Sequence, residues 1–145
     1  MKDEINAKVK FREEFRPFAP SALEEFTSEL FDTEEPSPFM TVAFNVRSQW
    51  SNKLRAVTHC NQTARVQTVN RETQPEYHRL ISRFREMTGV PAVLNTSFNV
   101  YGQPIVETPL DALATFSATG LDALFIGPFM VEKPHRPRVR SARRP

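Results

Sequence analysis

Three short segments hold most of the side chains that could do chemistry. In KVKFREEFRPFAP, residues 8 to 20, Lys8, Lys10 and Arg12 alternate with Val9 and Phe11, and Arg16 follows just before Pro17. An extended chain would put the three cations on one face and the two apolar anchors on the other. Fixed guanidinium and ammonium groups suit phosphate, the first as paired donors and the second as a point charge. A solvated edge strand guarded by lysines is the alternative. In HCNQTARVQTV, residues 59 to 69, Arg65 and Gln67 share a strand face with Thr63 while Ala64 and Val66 face inward. That face could hold an anion and a neighbouring carbonyl, or could simply be exposed. His59 reads as a phosphate-contacting, hydrogen-bonding or structural group. Its neighbour Cys60 does not make it a metal site, because adjacent residues converge poorly and no second pair exists.

The third segment, VPAVLNTSFNVYGQP, runs from an apolar strand into amides, hydroxyls and a glycine turn at residues 90 to 104. In an extended backbone Asn95, Ser97 and Asn99 share one side. A strand-closing turn accounts for Gly102 and for Asn99, but polar side chains next to PAVL need partners of their own. No Walker-type glycine loop, dinucleotide fingerprint, nucleophile elbow or paired metal motif occurs, and no general base stands out. The residues alone describe a site of several cations and several amides or hydroxyls, fit for a phosphorylated ligand.

The elements that must position these groups alternate between strands and helices. AKVKF reads as extended, PSALEEFTSELF as a helix opened by Pro20 and Ser21, PFMTVAFNV as β-rich, and RAVTH and ARVQTV as strands. PEYHRLISRFREMTG carries Tyr77, Leu80, Ile81, Phe84 and Met87 on one stripe, with Gly89 as its stop. VPAVLNTSF follows as a buried strand, TPLDALATFSATG as a helix capped at Thr108 and Pro109, and LDALFIG and FMVEK as closing strands. The pattern predicts an α/β or α+β domain with a mixed sheet.

The chain has 145 residues, 39% of them hydrophobic and 25% charged, which suits one domain with a real core. No apolar run approaches the ~20 residues of a membrane helix, and the polar start lacks the apolar centre of a secretory signal. A cytoplasmic protein is the expectation, and the single Cys60 agrees with a reducing compartment. Residues 134 to 145 hold five arginines and no acid, so without them the formal charge is −3 rather than +2. That tail reads as disordered and solvated, with nucleic acid or anionic lipid as alternative contacts.

Taken together and in order, INAKVKFREEFRPFAPSAL, HCNQTARVQTV, TGVPAVLNTSFNVYGQPIVETPLDAL and LDALFIGPFMVEK resemble a known family. It is the C-terminal domain of the carbamoyltransferases that include nodulation and antibiotic-tailoring O-carbamoyltransferases. The resemblance spans roughly residues 4 to 133, giving a domain over 1 to 133 followed by the basic tail. It implies a YrdC-like twisted mixed sheet flanked by helices around an open basic cavity. It also implies binding of ATP, with Mg2+ on the nucleotide, and of carbamoyl phosphate as co-substrate, to form carbamoyladenylate. A preceding actin-like domain, expected to be absent from this chain, would then pass the carbamoyl group to a hydroxyl. The family pattern VKFRExFRPFAPS nominates Lys10, Arg12 and Arg16; LNTSFN nominates Ser97 and Asn99, with Asn95 nearby; HVDGTARVQ nominates Arg65. Lys10, Arg12 and Arg65 are the candidates for catalysis, and Arg16, His59, Asn95, Ser97 and Asn99 for cofactor binding.

The chain departs from the family at Asn61 and Gln62, where an aspartate and a glycine are usual, and at Gln103, where GEP is usual. A lost carboxylate and a stiffened turn would put turnover in doubt. A nucleotide-binding or regulatory remnant is therefore a second expectation, and a nucleic-acid-binding module a third.

Overall fold

The segment APSAL lies at the centre of the fold. In the computed structural model, which describes residues 1–11, 13 and 16–133, it forms β1 (Ala19–Leu23), with all five residues buried. β4 (Gln67–Val69) pairs with it in parallel and β5 (Ala92–Asn95) pairs antiparallel. The architecture is thus mixed α+β, as the alternation of strands and helices implied. The helix expected over PSALEEFTSELF winds only at its end, as a 3-10 turn (Glu24–Phe26) and the short α2 (Thr27–Leu30). Tertiary pairing overrides the local signal: the Ser21 hydroxyl donates to Gln67 Oε1 at 2.7 Å instead of capping a helix.

ARVQTV divides between two sheets. β3 (Thr63–Arg65) pairs with β2 (Ala43–Asn45), then the buried Val66 turns the chain inward to β4. RAVTH is not a strand but a 3-10 turn (Arg55–Val57). Trp50, Leu54 and Val57 are all buried, and their spacing of four and three residues is helical, which the expectation of a strand overlooked.

The N-terminal expectation is also overturned. Instead of a strand, Lys2–Ile5 form α1, which continues as a π-type turn over Asn6–Lys10 and stops at the left-handed Phe11. Lys8 pairs with Glu4 one turn back, at 2.7 Å, and Asn6 is fully buried with its amide on Arg16 O. Lys8 and Lys10 therefore do not share a strand face: one is exposed, the other buried.

α3 (Pro75–Thr88) ends at Gly89, whose φ of +72° needs a residue without Cβ strain. Its expected apolar stripe is only partly covered. Ile81 joins Leu23 and Val69, with Tyr77 packed beside them, whereas Leu80 and Met87 are exposed. His78 replaces them on the inward face and meets Glu25 at 2.9 Å.

A larger cluster, including Phe18, Ala22, Phe31, Trp50 and Val66, fills the body. The C-terminal unit has its own core of Ala112, Phe116 and Leu124, between α4 (Pro109–Ala118) and the hairpin of β6 (Ala123–Ile126) and β7 (Phe129–Glu132). α4 starts as its sequence predicts. Thr108 Oγ1 accepts from Asp111 N while Asp111 accepts from Thr108 N, a reciprocal cap behind Pro109.

Candidate functional site

The buried ammonium of Lys10 joins the first and third candidate segments across 87 residues of sequence. It donates to the Ser97 carbonyl, to Asn99 O at 3.0 Å and to Asn99 Oδ1 at 2.9 Å, with Ser97 Oγ at 3.4 Å. The Ser97 hydroxyl donates to the same Asn99 Oδ1 at 2.8 Å, and Asn99 Nδ2 donates to Gln103 O at 2.9 Å. Tyr101 N closes the loop on Lys10 O at 3.1 Å. A charged donor at the centre of so many acceptors fixes the loop's shape and concentrates positive charge beneath Ser97. Because Asn99 uses only the backbone of Gln103, the glutamate-to-glutamine departure leaves this loop intact.

Asn95 belongs to a different network. Its amide donates to Ser21 Oγ at 2.9 Å and to Gln67 Oε1 at 2.8 Å, so three adjacent strands contribute one closed polar triad. It ties β5 to β1 and β4, and the expected single face of Asn95, Ser97 and Asn99 separates into a strand lock and a loop.

The turn before β3 accounts for His59. Thr63 Oγ1 donates to Asn61 Oδ1 at 2.8 Å, which leaves it to accept from His59 Nδ1 at 3.0 Å and sets the tautomer with Nε2 unprotonated in the neutral ring. Asn61 Oδ1 also accepts from Thr63 N at 3.3 Å, a role that an amide and a carboxylate fill alike. Gln62 adopts φ +62°, the left-handed conformation that a glycine takes without strain. The two family departures therefore preserve the turn, with strain stored at Gln62.

The Arg65 side chain leaves β3 exposed, with no hydrogen bond or ion pair to the described residues. Arg16 is exposed and lies 3.5 Å from Glu13. Arg12 lies outside the described residues. The structure thus joins Lys10 to Ser97 and Asn99 directly, and leaves Arg65 available to a ligand.

Sequence reasoning missed that Ser21 and Gln67 lock Asn95 in a network apart from the hub, and it missed a second set of cations, Lys53 and Arg55. These line a groove shared with His59. The signal was present in NKLRAVTH, where a helical reading separates Lys53 and Arg55 from the buried Leu54 and Val57. Among the described residues no group of three or more His, Cys, Asp or Glu side chains could hold a metal ion. No helix among them is long and apolar enough to cross a membrane.

Comparison with known proteins matches residues 1–133 to the family described as Carbamoyltransferase C-terminus. Nodulation protein NolO of Bradyrhizobium diazoefficiens is 50% identical over 135 residues, covering 91% of this chain and 25% of that protein. Nodulation protein NolNO of Sinorhizobium fredii is 49% identical over 135 residues, covering 91% and 20%. An uncharacterized protein of Methanocaldococcus jannaschii is 41% identical over 132 residues, covering 91% and 22%. The chain spans about a quarter or less of the length of these relatives.

Proposed function

The chain belongs to the carbamoyltransferase C-terminal family, and we propose that it is the adenylate-forming part of such an enzyme, binding ATP and carbamoyl phosphate and making carbamoyladenylate. The observation that carries this reading is the Lys10 hub, in which two family motifs far apart in sequence converge on one loop.

Water releases phosphate from carbamoyl phosphate and leaves carbamate. A carbamate oxygen then attacks the α-phosphorus of ATP; that P–O bond forms as the bond to the bridging oxygen breaks, and pyrophosphate departs with the electron pair. Negative charge grows on the equatorial oxygens, and preorganised cations stabilise it more in the transition state than at rest. Arg65 supplies an unengaged guanidinium for those oxygens, with Arg16 as a further cation. Ser97 contributes its hydroxyl, and Lys10 and Asn99 hold Ser97 in place. Magnesium enters with the nucleotide as part of the substrate. Delivery of the carbamoyl group to a hydroxyl acceptor falls to an actin-like domain, a division that fits the small share of each relative that this chain spans.

Carbamoyl-phosphate-dependent exchange of labelled pyrophosphate into ATP tests the reading. Arg65→Ala should cut the exchange at least a hundredfold, in line with the loss of a transition-state charge partner. No exchange by folded protein, alone or with an added actin-like domain, overturns it. A second reading, nucleotide binding without turnover, is favoured by Asn61 where the family has a carboxylate. Calorimetric ATP binding without exchange supports that reading.

A further inference from the structure

We propose that the groove beside the His59 turn is an oligophosphate site, in which Lys53 and Arg55 bind the β- and γ-phosphates of a nucleotide or free pyrophosphate. The groove encloses about 930 Å3, and Lys2, Lys53, Arg55 and His59 line it against a single acid, Asp3. Asp3 lies 3.6 Å from Lys2, and among the described residues the other cations of the groove have no carboxylate partner. Arg55 is exposed, and its side chain makes no hydrogen bond or ion pair to the described residues. Lys53 rests its ammonium 4.7 Å from the centroid of the Trp50 ring, a contact that orients the cation and leaves its N–H groups for another acceptor.

Concentrated like charge in a concave wall is costly until an anion enters, and it favours a compact, multiply charged one. Trp50 is buried beneath Lys53, so it offers no stacking platform of the kind single-stranded nucleic acid uses. Location adds to the case. Pro17, next to Arg16, forms one wall, and the turn carrying His59 leads directly into the strand of Arg65. Resting on the adenylation reading, the groove would hold the leaving group while Arg65 meets the α-phosphate.

Trp50 is the single tryptophan, so its fluorescence reports on Lys53 directly. Pyrophosphate should change that emission in the wild-type protein, and calorimetry should give the same affinity. Arg55→Ala and Lys53→Ala should each weaken pyrophosphate binding about tenfold, as loss of a charged hydrogen bond does, with circular dichroism unchanged and AMP binding unaffected. If ATP affinity falls in parallel, the groove takes the nucleotide's β- and γ-phosphates; if only pyrophosphate affinity falls, it takes the free product. Absence of pyrophosphate binding to folded wild-type protein, or unaltered affinity in the Lys53→Ala/Arg55→Ala double variant, overturns the proposal. Pyrophosphate binding without any exchange would leave the groove standing and remove the adenylation reading. Exchange with an insensitive double variant would do the reverse.

Discussion

Phe31 in the body is completely buried, whereas Phe125 on the β6–β7 hairpin is 70% exposed. The contrast extends to their surroundings. Phe31 sits in a cluster drawn from the central sheet and from the turns around Trp50 and Leu54. Phe125 pairs across the hairpin with Met130, also exposed, while the opposite face supplies Leu124 to a three-residue core. Leu110 and Phe129 add to the apolar exterior of the same unit. The body is held by its own burial. The C-terminal unit leans on the N-terminal strap instead: Gly120 N donates to Lys8 O at 2.8 Å, and Tyr101 N and the residue 97–99 loop are fastened to Lys10. The hub proposed for function thus also joins the two regions.

Truncating each core gives the largest test. Phe31→Ala should cost about 3–5 kcal/mol and lower the global unfolding midpoint. Leu124→Ala, in the thinner core, should cost about 2 kcal/mol and raise hydrogen exchange in α4 and the hairpin while sparing β1. Equal losses spread over both regions would break the comparison.

The strap can be tested at one atom. A Cβ at Gly120 would lie 2.9 Å from Lys8 Cβ and 3.1 Å from Lys8 O, too close to either to be absorbed by a flexible side-chain end. Gly120→Ala should therefore cost about 1–3 kcal/mol by overpacking, with faster exchange at Tyr101. An unchanged melting temperature would mean that the strap yields freely and that the C-terminal unit stands alone.

The smallest effect is expected at the α4 cap. Thr108→Ala should cost about 1 kcal/mol, confined to the C-terminal unit. The side-chain and backbone hydrogen bonds from Thr108 hold the Asp111 carboxyl below its ordinary pKa. A lowered folded pKa means that this contribution is complete above the unfolded value, near 3.9, and fades as pH falls through the folded one. The wild-type unit should therefore lose α4 protection in acid by a step that is smaller in Thr108→Ala, which keeps only the backbone hydrogen bonds to Asp111; identical acid profiles would assign the Thr108 side chain no part in the contrast.

Asn95, Ser97 and Asn99 show where sequence reading reached and stopped. Their polarity beside PAVL required partners, and each has them. Alternation placed all three on one face, but β5 ends at Asn95, and the chain then curls around an ammonium supplied from residue 10. The strand expected at AKVKF failed for the same reason: period-two alternation of lysines carries no information about a carbonyl 87 residues away that will bury one of them.

The sequence by itself determined α3, α4, β5, the closing hairpin and the family, because these rest on local signals: helical stripes, a reciprocal cap, a glycine stop and long motifs in order. Only the tertiary structure decided that APSAL is a central strand, that RAVTH turns, that Lys10 is buried and Arg65 open, and that Lys53 and Arg55 share a groove with His59. Those outcomes depend on which long-range partner satisfies a polar group or covers an apolar one. Contacts between distant segments settle that choice, and local spacing does not encode it.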